Sequence, residues 1–217
     1  MAQVPKEHVR RRIVAAAAHL FAARGYAATT VASVAARAGT STGNVYKYFA
    51  GKEALFDAVL PEAFARDVRR LTHARIVALG SARDVRELPR DARYHVVAGE
   101  LLERCLAERE RVVILLARAE GTRFARFAED FGRALVSWAL GYARRAWPEV
   151  PRSPALGFAL SAVYRGYLRS LAEALMSLPS RPRAQAAIEL LTTHHQGGLA
   201  QLFASLARGP APRELAP

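Results

Sequence analysis

One cysteine, Cys105, in 217 residues leaves no partner for an intramolecular disulfide, so a covalent framework is excluded. The N-terminus has no hydrophobic signal segment, and a cytoplasmic location is expected. Long apolar runs are also missing. Even Val112 to Ala117 is bracketed by Arg111 and Arg118, far short of the roughly 18 unbroken apolar residues of a membrane span, so no membrane partner is expected. The six histidines show no spacing typical of a zinc site, and the adjacent His194 and His195 point in different directions on a helix. There is no glycine-rich phosphate loop, no nucleophile elbow and no carboxylate pair that stands out from surface charge. The expectation is a protein that is not an enzyme and carries neither cofactor nor metal.

What is abundant is apolar surface and positive charge. Hydrophobic residues make up 52% of the chain, which excludes a disordered polymer, and the length suffices for one large or two modest domains with a sizeable core. Thirty-two Lys plus Arg against 19 Asp plus Glu give a net charge of +13, an imbalance that draws a protein toward polyanions such as nucleic acid. Arginine supplies most of that charge. A GC-rich genome explains this as readily as phosphate recognition does, so the excess alone names no contact.

Apolar residues recur at helical spacing throughout, strand alternation is nearly absent, and Pro and Gly mark the joints. The pattern predicts an all-α protein. A first helix is expected from about Lys6 to Arg24, and a longer one from Lys52 to about Leu79 with a kink at Pro61, whose ring clashes with the preceding turn. Further helices are expected over Pro89 to Ala107, Glu110 to Ala119, Thr122 to Ala146, Pro154 to Ser177 and Pro182 to Arg208, with a frayed tail from Gly209 to Pro217.

Between the first two of these lies the most specific segment. Val31, Val34, Ala35 and Ala38 share one helical face, Gly39 supplies a left-handed residue that stops that helix, and Thr40 and Ser41 can cap the next. In the following helix Val45 and Phe49 stand four apart and point inward. Thr42, Gly43, Asn44, Tyr46, Lys47 and Tyr48 occupy the other faces. Two short helices meeting at a tight turn form the pattern of a DNA-reading helix-turn-helix.

The order Thr30-Val31, Ser41-Thr42-Gly43-Asn44-Val45-Tyr46-Lys47-Tyr48-Phe49 and Gly51-Lys52-Glu53-Ala54-Leu55-Phe56, preceded by an alanine-rich helix ending at Gly25-Tyr26, resembles the TetR family of bacterial transcriptional regulators. Tyr48 stands where that family often has histidine, and Asn44 where it often has threonine. The resemblance implies a three-helix DNA-binding domain over residues 1–56 and a larger helical domain for ligand binding and dimerisation over residues 57–217. It also implies that the partners are double-stranded operator DNA, a small-molecule effector and a second copy of the chain.

Helix-turn-helix docking then assigns the residues. Thr42 and Gly43 face base edges, Asn44 pairs with adenine if it points into the groove, Lys47 donates either to guanine or to a phosphate, Tyr46 and Tyr48 face phosphates, and Thr30, Ser41 and Lys52 lie at helix starts, where anions are favoured. The competing reading is that Thr30 and Ser41 are only N-caps. Arg10, Arg11 and Arg12 either reach the DNA backbone or form a solvated helix face.

In the second domain Phe124, Phe127, Phe131, Trp138 and Tyr142 fall on one stripe, which is either core or one wall of an effector cavity. Cys105, Arg118 and Glu120 on preceding elements could add polar groups to such a cavity. Ile188, Leu191, His195, Leu199, Leu202 and Leu206 form a face of the last helix, with Phe158, Leu168, Leu171 and Leu175 on the helix before it. These last two helices either pair with their symmetry mates in a homodimer or form an ordinary intrachain core. The expected activity is that of a DNA-binding regulator released from its operator by an apolar or aromatic ligand. A ligand-independent architectural DNA binder and a helical protein-interaction module are the alternatives.

Overall fold

Helix boundaries fall where the chain offers caps. In the computed structural model, which describes residues 3–209, α1 (Gln3–Arg24) ends at Gly25, whose φ of +81° lets its N–H reach Phe21 O at 2.9 Å. Thr29, almost fully buried, donates its hydroxyl to Gly25 O at 2.8 Å and ties off the turn that follows. α2 (Val31–Arg37) and α3 (Thr42–Tyr46) come next, then α4 (Lys52–Val59). The expected tail beyond Gly209 lies outside the described residues.

The helix expected from Lys52 to Leu79 is two helices, not one kinked helix. α4 stops at Val59, Leu60 leaves the helical region at φ −124°, ψ 78°, and Pro61 becomes the N-cap of α5 (Glu62–Val77). Proline cannot donate into the turn before it, and it forces the preceding residue out of α geometry, so the break is complete. The expected domain boundary between residues 56 and 57 thus falls inside α4.

The remaining elements are a 3₁₀ turn (Val85–Glu87), α6 (Arg93–Ala107), α7 (Arg109–Val113) running into a π turn (Ile114–Arg118), α8 (Phe127–Ala146), α9 (Pro154–Ser177) and α10 (Arg181–Arg208). α8 begins at Phe127 rather than Thr122. The Thr122 hydroxyl donates to Ala119 O at 2.6 Å and accepts from the Phe124 N–H at 3.1 Å, closing a separate turn there. α6 starts at Arg93 rather than Pro89, because the 3₁₀ turn and its Asp84 cap take up the preceding chain.

No strand occurs among the described residues, and none of their helices is long and apolar enough to cross a membrane. α1 packs on α2, α4 and α7, α2 on α3, and α9 lies centrally against α7, α8, α10 and the π turn. Phe21, Phe56, Leu55 and Leu60 close the N-terminal core, while Ile114, Leu115, Leu160 and Leu175 anchor the other. The two cores meet where Phe56 faces Phe124 at 6.5 Å.

Candidate nucleic-acid interface and internal cavity

The α2–α3 turn is held from three directions. Thr30 and Ser33 form a reciprocal capping box at the start of α2, and the Ser41 Oγ accepts from the Asn44 N–H at 3.2 Å at the start of α3. Gly39 sits at φ +61°, and its conformation brings the Thr40 N–H to Ala35 O at 3.0 Å. Arg12 of α1 donates Nη2 to the Ala38 carbonyl and to Gly39 O at 3.4 Å. A Cβ at Gly39 would stand 2.8 Å from that nitrogen and push the Arg12 tip aside, while the positive φ itself favours glycine there.

Val45 and Phe49 are buried and fix the rotation of α3. Thr42, Gly43, Tyr46 and Lys47 therefore lie on its exposed surface, with Tyr46 54% accessible. Nothing lies within 4 Å of a Cβ built at Gly43. Asn44 and Tyr48 are half-buried, and the Asn44 Nδ2 donates to Thr40 Oγ1 at 2.7 Å, which holds that amide against the turn. Thr30 and Ser41 are exposed but engaged as caps.

Lys52 differs from its sequence assignment. Its Nζ donates to Tyr26 O at 2.9 Å, Thr29 O at 3.0 Å and Ala27 O at 3.5 Å, and lies 4.2 Å from the centre of the Tyr26 ring. An ammonium has three donors, and here all three serve the turn that closes α1. In this arrangement its side chain has no hydrogen left for a phosphate. Arg10 pairs with Glu7 at 3.9 Å and lies over Phe49, so with Arg12 pinned to the turn only Arg11 of that run has no partner of these kinds among the described residues.

The helices from α5 onward enclose a cavity of about 710 Å³, within the usual range for small-molecule sites. Cys105, Phe131 and Tyr142 line it, as the sequence suggested. Four others of that set do not. Phe124 and Phe127 sit in the aromatic row leading toward Phe56, Trp138 turns to His73 of α5 at 4.8 Å, and Arg118 on the π turn reaches Met176 Sδ at 3.7 Å with its Nε buried and unbonded. Glu120 is exposed in the turn before α8. The stripe on α8 was real, but the face that meets the void runs through Phe131, Leu135, Ala139 and Tyr142.

Other helices supply the rest of the lining: Arg75 on α5, Tyr94 on α6, Tyr164 and Tyr167 on α9, and His195, Gln196 and Phe203 on α10. Burial pushes the Cys105 thiol up to about 11 and the Tyr142 hydroxyl up to about 12. Burial, then the charge of Arg75, lowers His195 to about 4, so this histidine is a neutral ring stacked on Tyr167 at 4.3 Å.

The face of α10 read as a dimer surface also turns inward. Ile188 and His195 are buried, and Leu191, Leu199, Leu202 and Leu206 pack against the subunit's own core, because α9 and α10 are needed to close the cavity. On the outside of these helices Phe158 is 78% and Leu190 72% accessible.

Residues 13–59 match the family model described as bacterial regulatory proteins, tetR family. The likeness to this family lies in α1–α4. Over 98 residues it is 36% identical to the HTH-type transcriptional repressor Rv3405c of Mycobacterium tuberculosis strain H37Rv and to the HTH-type transcriptional regulator Mb3439c of Mycobacterium bovis, covering 45% of this chain and 49% of each relative. The chain thus spans about half the length of the curated relatives it matches. A tetR-family regulator structure from Mesorhizobium loti, described as putative in its own name, aligns with 92% of this chain and 96% of its own at 19% identity and TM-score 0.44. NalD of Pseudomonas aeruginosa, the secondary repressor of the MexAB-OprM multidrug efflux pump, aligns with 87% and 96% at 20% identity and TM-score 0.41.

The matched segment ends at Val59, the last residue of α4, immediately before the Leu60–Pro61 break. Among the described residues, two ion pairs join this segment to the chain beyond it. His19 of α1 meets Glu110 of α7 at 3.1 Å, and Asp57 of α4 meets Arg123 at 3.1 Å. Neither pair carries a sequence signal, since each spans more than 60 residues. For the cavity one signal was available: His195 interrupts an otherwise apolar face of α10, and a buried ring nitrogen in such a place marks a wall with something polar to meet.

Proposed function

We propose that this chain is a homodimeric transcriptional repressor that leaves its operator when a small apolar or aromatic molecule fills the cavity. The observation that carries the DNA reading is α3. Its rotation is fixed by Val45 and Phe49, its first turn by Ser41, and its free surface presents a hydroxyl, a bare backbone, a phenol and an ammonium from Thr42, Gly43, Tyr46 and Lys47. Thr42 and Gly43 would approach base edges, and Tyr46, Lys47 and Tyr48 the flanking backbone, while Thr30 and Ser41 offer hydroxyl hydrogens to phosphates from their cap positions. Asn44 would have to leave Thr40 to read adenine. Residues 1–60 carry Lys6, Arg10, Arg11, Arg12, Arg24, Arg37, Lys47 and Lys52 against Glu7, Glu53 and Asp57, a local excess that favours the approach of DNA.

Two half-sites need two reading helices one turn of DNA apart, hence a dimer. The exposed Phe158 and Leu190, with the exposed backbone at Gly197 and Gly198, support α9 and α10 as its surface. Release requires the ligand to favour an arrangement that cannot span both half-sites. Two connections support such a coupling. α5 contributes Val68, Thr72 and Ile76 to the cavity and joins α4 at Leu60–Pro61, and the α7–π segment contributes Val112 and Leu116 while its Glu110 holds His19 of α1. The boundary between the DNA-binding and effector domains is placed at Leu60–Pro61.

The test is binding of the full chain to the DNA upstream of its own gene and to unrelated DNA of equal length, across a salt series. Selective binding that weakens steeply with salt, with two chains per site, is the expected result. Gly43→Val, which leaves the fold unobstructed, should weaken the selective complex by about 1–3 kcal/mol and leave the unselective one unchanged. Equal affinity for both DNAs points to an architectural binder, and no binding to either points to a protein-interaction module.

A further inference from the structure

The cavity is lopsided in charge. Four arginines, Arg75, Arg83, Arg86 and Arg208, line it, against one carboxylate, Asp84. Arg86 is paired with Asp84, Arg83 donates to Ala146 O at 2.6 Å, and Arg208 is exposed at the end of α10. Arg75 is different. Half-buried on α5, it lies over the Tyr94 ring at 5.8 Å and makes no ion pair or hydrogen bond with any other described residue.

Its charge nevertheless acts on three other helices. It opposes the burial-driven rise of the Cys105 thiol and the Tyr164 hydroxyl, and it helps hold His195 neutral. The guanidinium lines the cavity together with Tyr94 of α6, Tyr164 of α9 and His195 of α10. It carries a fixed positive charge with no protein anion against it among the described residues, a ready partner for an anionic ligand. The hydroxyls of Tyr94, Tyr142 and Tyr167 are engaged by Gln196, Ala82 O and Thr192, whereas the Tyr164 hydroxyl has no partner among the described residues.

We propose that the cavity takes an aromatic monocarboxylate, its carboxylate received by the Arg75 guanidinium with the Tyr164 hydroxyl as a second donor, and its ring seated against Phe131, Trp147 and Phe203. This rests on the reading of the cavity as the effector site. A single unbalanced guanidinium matches a single charge, and a fork of N–H donors suits the two oxygens of a carboxylate. A phosphate ester would bring a second charge, while Arg83 and Arg86 are already engaged and Arg208 lies at the exposed end of α10. The aromatic lining favours a flat ring as the apolar part.

The experiment is calorimetric titration of the full chain with 2-naphthoate and with the neutral, near-isosteric 2-naphthamide, repeated with the benzoate and 4-phenylbenzoate pairs to bracket size. Protection of Cys105 from a thiol reagent reports that binding is in the cavity. The carboxylate should bind about tenfold or more tighter than its amide. Arg75→Gln should erase that preference while leaving the amide affinity unchanged, Arg75→Lys should retain part of it, and an unshifted melting curve should show that each variant is folded. Tyr164→Phe should reduce the preference without abolishing it. Equal binding of acid and amide, a preference that survives Arg75→Gln, or no binding by any of the acids overturns the proposal. The effector reading fails separately: an acid that binds through Arg75 without weakening DNA binding leaves the carboxylate site standing and removes its regulatory meaning. A neutral ligand that releases DNA from the Arg75→Gln variant does the reverse.

Discussion

The two halves of this chain use their polar groups in opposite ways. In the N-terminal helices Arg12, Thr29, Thr30, Ser41 and Lys52 all turn back onto the backbone, each completing a cap or closing a turn. The aromatic rings of Phe21, Tyr26 and Phe56 meet within 5.7 Å of one another and pack as one cluster. In the helices from α5 onward several polar groups line about 710 Å³ of open space, and Arg75 and Tyr164 make no hydrogen bond or ion pair among the described residues. The first half is built to hold a single geometry, which a surface reading base edges needs. The second encloses open space, which the proposed effector would fill.

The sharpest way to break that contrast is to remove an aromatic ring from each half. Phe56 is 2% exposed and packs on Phe21 and Tyr26, so Phe56→Ala should cost about 3–5 kcal/mol of unfolding free energy in urea titration. Phe131 already borders the cavity, and Phe131→Ala should cost less than half as much, because part of its ring gives up no packing. Equal losses would mean that the chamber closes around Phe131 in solution and that the contrast is false.

A smaller effect separates the halves by pH. His195, lowered to about 4 by burial and by Arg75, is a neutral group in the folded chain, while the unfolded chain protonates it near 6.5. Between those values the unfolded state binds more protons, so stability falls as pH drops from about 6.5 to about 4, by up to about 3 kcal/mol. Above that window this group contributes no slope. Urea midpoints at pH 7, 5.5 and 4.5 should converge for His195→Phe relative to the parent chain. An unchanged difference between the two at all three values would mean that the ring is solvated in the native state.

How far each half could be read in the sequence follows from the same difference. The helix-turn-helix was legible because its determinants are local: Gly39 stops α2, Ser41 starts α3, and the Val45–Phe49 spacing sets which face is free, all within eleven residues of chain. The helical class and most boundaries followed from periodicity. The cavity is made of residues from α5, α6, α7, the π turn, α8, α9 and α10, and no spacing along one helix encodes that meeting. The α8 stripe puts Phe131 and Tyr142 on the cavity wall and Phe124, Phe127 and Trp138 away from it. The α10 face packs on its own core in the single chain, and an apolar stripe does not say whether it also meets a second chain.

Lys52 gives the subtlest test, because its position at the start of α4 favours a phosphate contact while its ammonium is committed to Tyr26, Ala27 and Thr29 carbonyls. Lys52→Met keeps most of the stem and removes the donors. The half-buried site and the charged donor set the expected loss at about 1–2 kcal/mol of stability. DNA binding, measured well below the melting temperature, should keep the salt dependence of the parent chain. If the variant melts like the parent and its salt slope falls by about 1 per subunit, the ammonium reaches a phosphate in the complex. The turn that closes α1 would then hold without it, and the N-terminal half would be less self-contained than its hydrogen bonds imply.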